Sequence, residues 1–139
     1  MKIEDIMTKK VTIASMDDTL GDLKKIFESN DFHHMPIVDA NRLIGIVSDR
    51  DVLRFLSPYV NTMGEDNRAL NTLKKRAHQI MTRDVFTVRG NDSVEGAAAI
   101  MLENRFSCLP VLSDSGAIIG IVTKTNILDC LVRQGSHFS

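Results

Sequence analysis

Ser48 and Asp51 stand three residues apart, with Arg50 between them, at the end of an apolar run that contains Gly45. A hydroxyl and a carboxylate about one helical turn apart can grip a sugar phosphate. The carboxylate accepts both hydrogens of a ribose diol, through bonds of roughly 1.5–3 kcal/mol each because one partner is charged. The hydroxyl, beside unpaired N–H groups where a helix starts, holds a phosphate oxygen. Arg50 offers the phosphate a planar cation. The same residues also spell a plain helix cap, with Ser48 as N-cap and Asp51 as the carboxylate that follows. Both readings stand at this point. Gly45, lacking a side chain, lets either a ligand or another stretch of backbone come close.

The constellation returns in altered form as Thr123, Lys124 and Asn126. Thr123 keeps the hydroxyl. Asn126 turns the carboxylate into a neutral amide, which binds a diol more weakly. Lys124 is a cation where the first set has Asp49, and Thr125 replaces Arg50. Two unequal sites are therefore expected, the first being the better ribose binder.

The recurrence runs through most of the chain. Ile6-Met7-Thr8 returns as Ile80-Met81-Thr82, and Phe32-His33-His34-Met35-Pro36 as Phe106-Ser107-Cys108-Leu109-Pro110. Ile44-Gly45-Ile46-Val47 returns as Ile119-Gly120-Ile121-Val122 after one extra residue in the second turn. Such a duplication predicts a two-fold-like packed body with duplicated clefts.

Each copy reads as strand, helix, strand, strand, helix. Val11-Thr12-Ile13 is a short β-rich piece, and Asp17-Asp18-Thr19 caps a helix whose apolar face is Leu20, Leu23, Ile26 and Phe27. A strand starts near Met35. Residues 39–42 form a turn, 43–47 a buried strand, and 51–56 a helix facing inward through Val52, Leu53 and Leu56. In the second copy, strands are expected at 86–88, 109–112 and 117–122, and helices at 94–104 and 124–133. Between the copies, Leu70, Leu73 and Ala77 predict a linker helix, and residues 59–67 a mobile loop. The tail, 134–139, is expected to fray. The domain organisation expected is 1–57, a linker at 58–77, and 78–135. The fold class is α+β: two βαββα repeats in one module.

Other chemistry finds little support. The net charge is −1, with one tyrosine and no tryptophan, which leaves little for steering or stacking nucleic acid. Lys74-Lys75-Arg76 reads as a solvated helix face. Cys108 and Cys130 form no C-x-x-C pair and read as small core residues. Adjacent His33 and His34 point to opposite sides of an extended segment and cannot readily share a metal. A phosphate contact or a pH-sensitive exposed histidine is the better role for one of them. There is no Ser-His-Asp set and no Gly-rich phosphate loop, so no enzyme is expected. The chain shows neither a signal-peptide core nor a run long enough to span a membrane, and the expected address is the cytoplasm.

The ordered set Gly45-Ile46-Val47-Ser48-Asp49-Arg50-Asp51 and Gly120-Ile121-Val122-Thr123-Lys124-Thr125-Asn126 resembles the cystathionine-β-synthase-type regulatory domain, the CBS domain. The Ile-Met-Thr openings and the Pro-apolar-apolar strands match it too. The resemblance covers residues from about 3 to about 133 and implies a stand-alone tandem CBS pair. It further implies an adenosine-containing ligand in clefts between the repeats: AMP, ADP, ATP or S-adenosylmethionine, with AMP or ATP foremost. The adenine would lie near Thr12, Ile13, His34, Met35 and Pro36 in the first copy. In the second it would lie near Thr87, Val88, Cys108, Leu109 and Pro110. Ordinary core packing is the alternative for all of these, and for Met35 and Leu109 it is the better reading. The family resemblance also implies a disc-shaped homodimer; the sensing reading adds an effector protein that reads the ligand state, and composition leaves no nucleic-acid or membrane partner expected. The rival is a scaffold for oligomerisation or partner binding whose clefts stay empty.

Overall fold

The computed structural model describes residues 1–56 and 67–134. Two compact units divide the chain, one holding Met1–Val11 with Val85–Ser139 and the other holding Thr12–Asp84. The start of the chain therefore belongs to the same unit as the second sequence repeat.

In the unit of residues 12–84, α1 (Leu20–Glu28) precedes the hairpin of β1 (His34–Asp39) and β2 (Arg42–Ser48), which leads into α2 (Asp49–Phe55). Thr19 caps α1, its hydroxyl accepting from the Asp22 amide while the Asp22 carboxylate takes the Thr19 amide. β1 and β2 pair antiparallel, with a bulge at Ile37 and Val38. The hairpin turns through Ala40 and Asn41, both at positive φ (49° and 65°), the backbone a two-residue turn needs to match strand twist. The strand expected at 11–13 does not form. A single parallel bridge joins Ala14 to Ile37 instead, made by the Ala14 amide on Pro36 O at 3.0 Å and the Val38 amide on Ala14 O at 2.9 Å. Leu20, Leu23, Met35, Ile37 and Val47 are wholly buried in the core of this unit. Val52 of α2 is buried as expected, whereas Leu53, also expected to face inward, is 70% exposed.

The linker region folds as two short helices, α3 (Asn67–Thr72) and α4 (Ala77–Ile80). The continuous helix expected over 69–77 breaks after Thr72. Arg76 adopts an extended backbone as the cap of α4, and the Ala77 amide bonds to Asp18 O at 2.8 Å. α3 buries Ala69 rather than Leu70. Of the loop expected at 59–67, only Asn67 falls within the described residues, and of the tail only Gln134.

In the other unit, β3 (Val88–Arg89) pairs parallel with β4 (Cys108–Leu112), which pairs antiparallel with β5 (Ile118–Thr123). β3 lies two residues later than the apolar spacing predicts at its start. α5 (Val94–Asn104) and α6 (Lys124–Arg133) span the ranges their patterns predict. A 3-10 turn at Ile3–Asp5 seats Ile3, wholly buried, among Val88, Val94, Leu109 and Val122. Cys108 and Cys130 are both buried and unbridged, and burial pushes the Cys108 thiol up to about 12. No helix among the described residues is long and apolar enough to cross a membrane.

Candidate functional site

The site is built where a strand runs into a helix. β2 ends at Ser48, whose extended backbone (φ −102°, ψ 163°) makes it the N-cap of α2. The Ser48 hydroxyl accepts from the Asp51 amide at 3.1 Å, and the Asp51 Oδ2 accepts from the Ser48 amide at 2.9 Å. The pair is a reciprocal capping box, so local helix chemistry alone explains why the two residues meet. That box uses one carboxylate oxygen. The other, Oδ1, lies 3.9 Å from the Arg54 guanidinium, and the Asp51 side chain remains 17% exposed. Arg50 is exposed on the first turn of α2.

Thr123 and Asn126 repeat the cap at α6. The Asn126 Oδ1 takes the Thr123 amide at 2.8 Å and the Thr123 hydroxyl at 3.0 Å. The Asn126 Nδ2 donates to the Thr8 hydroxyl at 3.3 Å. The second motif is thus satisfied on both ends of its amide by its own unit. Among the described residues no such side-chain bond joins Asp51 to Thr82, the counterpart of Thr8. Lys124 is exposed.

The glycine of each motif faces protein. A Cβ on Gly45 would lie 2.5 Å from Met81 Sδ and 3.0 Å from Thr82 O, and one on Gly120 would lie 2.6 Å from Met7 Sδ and 2.9 Å from Thr8 O. Each Met-Thr segment bonds to the residue after its glycine. Ile46 and Thr82 exchange two backbone bonds of 3.0 Å, and Thr8 and Ile121 exchange bonds of 2.8 and 3.0 Å. Of the two uses open to Gly45, close approach of another backbone is the one observed. Thr8 and Thr82 are site neighbours that sequence reasoning passed over, although the doubled Ile-Met-Thr marked both.

Around the first motif, His34 stands opposite Ser48 in the β1–β2 register. Burial holds its imidazole below the ordinary value, against the opposing pull of Asp49 and Asp51, while His33 and Arg50 add to the lowering. His33 Nδ1 and Asp49 Oδ2 lie 2.8 Å apart in a hydrogen bond, and the Asp49 amide donates to His33 O at 3.0 Å. Thr12 and Ile13 are exposed, while Met35 and Pro36 are wholly buried. In the second copy Thr87 is exposed, and Val88, Cys108, Leu109 and Pro110 are buried. The first set of candidates lies wholly within the unit of Thr12–Asp84 and the second within the other unit. The buried members present packed apolar surface and backbone, not free side chains. Among the described residues no group of three or more His, Cys, Asp or Glu side chains is placed to hold a metal ion.

Two hairpins, each followed by a hydroxyl-capped helix and each notched by a glycine, define a tandem-repeat architecture. The CBS domain family profile matches residues 3–58 and 77–133. The chain belongs to the CBS-domain family. It is 32% identical over 133 residues to a CBS domain-containing protein of Dictyostelium discoideum, covering 94% of this chain and 91% of that one. It is 30% identical over 127 residues to protein MJ1225 of Methanocaldococcus jannaschii, of which it spans 45%. Among solved structures it is similar to CBSX2 in complex with AMP, with a TM-score of 0.80, 26% identity, and coverage of 96% and 98% of the two chains. It is also similar to the CBS domain pair of protein MJ0100 in complex with 5'-methylthioadenosine and S-adenosylmethionine, with a TM-score of 0.78, 27% identity, and coverage of 96% and 98%.

Proposed function

We propose that the chain is a regulatory module that binds an adenosine-containing nucleotide beside the Ser48–Asp51 motif and signals by a shift between conformations. The observation that carries this reading is the second carboxylate oxygen of Asp51, which among the described residues accepts no hydrogen bond and lies 3.9 Å from the Arg54 guanidinium. It is an acceptor left over after the helix cap is complete. A ribose diol would donate to it, with the Ser48 hydroxyl and Arg50 placed for phosphate. Support also comes from two similar CBS pairs, solved with AMP and with S-adenosylmethionine. His34, Thr12 and Ile13 would border the base, with Met35 and Pro36 as its packed floor. The corresponding groups of the second motif, Thr123, Lys124 and Asn126, would bind weakly, because Asn126 has both ends of its amide engaged. Thr87, Val88, Cys108, Leu109 and Pro110 would border that weaker site. Binding would favour one arrangement of the module by its difference in affinity for two states, and a partner protein would read the result.

Asp51→Asn separates the two roles of this side chain. Asn126 already caps α6 as an amide, so the variant keeps the cap while losing the charge. Its unliganded melting temperature should stay close to wild type. Its affinity for AMP or ATP in titration calorimetry should fall roughly tenfold to a hundredfold, the worth of a charged hydrogen bond. Saturating ligand, at about a hundred times Kd, should stabilise the wild-type chain by roughly 2.7 kcal/mol. No heat and no thermal shift with AMP, ATP or S-adenosylmethionine at millimolar concentration would sink the sensor reading.

A further inference from the structure

We propose that Thr8 sets the affinity of the second motif: its hydroxyl occupies Asn126 where a ribose hydroxyl would bind, and so acts as an internal competitor. The inference rests on the nucleotide reading above and assigns a residue that regulates it. Backbone contacts bring Thr8 to the motif. Ile3 is wholly buried among Val88, Val94, Leu109 and Val122, and Thr8 exchanges backbone bonds of 2.8 and 3.0 Å with Ile121 of β5. Neither contact uses the Thr8 side chain. That side chain takes a hydrogen bond from Asn126 Nδ2 at 3.3 Å. The other end of the amide is full. Asn126 Oδ1 has two lone pairs, and the Thr123 amide and hydroxyl donate to it at 2.8 and 3.0 Å. A sugar can therefore reach this amide only through Nδ2, and Thr8 holds one of its two hydrogens.

The first motif supplies the comparison. Thr82 is held on Ile46 by the same pair of backbone bonds, each 3.0 Å, so the two threonines sit alike on their hairpins. The residue across from each differs. Asn126 presents an N–H donor, and the hydroxyl oxygen of Thr8 accepts from it. Asp51 presents acceptors, and among the described residues no side-chain bond joins it to Thr82. Exchanging one carboxylate oxygen for an NH2 group thus turns an open acceptor into a paired donor.

The bond is neutral and joins partly solvated groups. Breaking it to admit a ligand costs roughly threefold to tenfold in affinity, the net worth of such a bond over water. By linkage, a ligand on Asn126 loosens the Thr8 hydroxyl by the same factor.

Titration of the full chain with AMP tests this, followed by the backbone amide signals of Ser48 and Thr123 in nuclear magnetic resonance. Each amide bonds to the side chain of its own motif, so the two affinities are read separately. Thr8→Val keeps the shape and removes the hydroxyl. Affinity at Thr123 should rise roughly threefold to tenfold, with that at Ser48 unchanged. Thr8→Ser keeps the hydroxyl and should match wild type. Asn126→Asp removes the donor, so adding Thr8→Val to it should change nothing further, which makes the pair a coupled cycle. Thr82→Val should tighten neither motif. Urea midpoints check folding, and Thr8→Ala is a second hydroxyl-free variant should the valine chain fail to fold. Unchanged affinity at Thr123 in the hydroxyl-free variants, with AMP still bound at Ser48, would overturn this proposal alone. An equal gain in Thr8→Ser, or on top of Asn126→Asp, would assign the effect to packing and overturn it too. AMP bound at neither motif in any variant would overturn the nucleotide reading and this inference with it.

Discussion

Gly45 and Gly116 are small for unrelated reasons. Gly116 sits at φ 88° with nothing within 4 Å of where a Cβ would stand, so its cost of replacement is backbone strain alone. Gly45 has no such φ, but a Cβ there would press on Met81 Sδ at 2.5 Å and the Thr82 carbonyl at 3.0 Å. Gly45→Ala should destabilise the chain by about 1–3 kcal/mol, the usual cost of overpacking. Met81 is itself a core residue, so Met81→Ala alone also destabilises, but the double variant should lose less than the sum of the two single losses, because removing the sulfur relieves the clash. Urea denaturation of the single and double variants measures both. An unchanged midpoint in Gly45→Ala would mean that the notch is not tightly filled. The glycine, the methionine and the threonine are all visible as repeated letters. That the methionine fills the notch of a glycine from the other copy of the motif is a long-range fact, set by packing.

At the scale of elements, the junction of β1 with α2 concentrates the titratable groups. His34 lies opposite Ser48, and its neighbours Asp49, Asp51, His33 and Arg50 all bear on its charge. Burial dominates and holds its pKa below the ordinary histidine value of about 6.5. The consequence for stability has a definite sign. Above that value both folded and unfolded chains hold a neutral imidazole. As pH falls below it, the unfolded chain takes up a proton that the folded chain resists, so stability is lost as pH falls toward the folded pKa. Wild type should therefore lose more stability than His34→Gln between neutral pH and pH about 5, read as denaturation midpoints at both values. Equal losses would show that His34 does not carry the acid sensitivity. The caps at Thr19 and Ser48 were legible because a cap is local chemistry. The strand at 11–13 was not. The pairing there is a single bridge at Ala14, made with Pro36 O and the Val38 amide, and pairing with a distant strand is not written in a short β-rich run.

For the whole molecule, the assignment of Met1–Val11 to the unit of the second repeat changes what a substitution near the start should do. Ile3 is wholly buried against Val88, Val94, Leu109 and Val122. Its amide bonds to Asp92 O at 2.9 Å, and the Glu4 amide to Gly90 O at 2.9 Å. Ile3→Ala should cost about 2–5 kcal/mol, the range for deleting a buried isoleucine side chain. The loss should appear as faster hydrogen exchange in β3–β5 and α5–α6, with β1, β2 and α1 little affected. Equal loss of protection in both units would show that the effect of the arm is not confined to its own unit.

The sequence alone determined the duplication, the α+β class, the helices at 94–104 and 124–133 and the inequality of Asp51 and Asn126, because each depends on residue type and short-range spacing. Tertiary structure decided what fills the glycine notches, which unit receives the start of the chain and which end of Asp51 is left over. Those outcomes join residues far apart in sequence, and hydrophobic burial, which selects among such pairings, is blind to order along the chain.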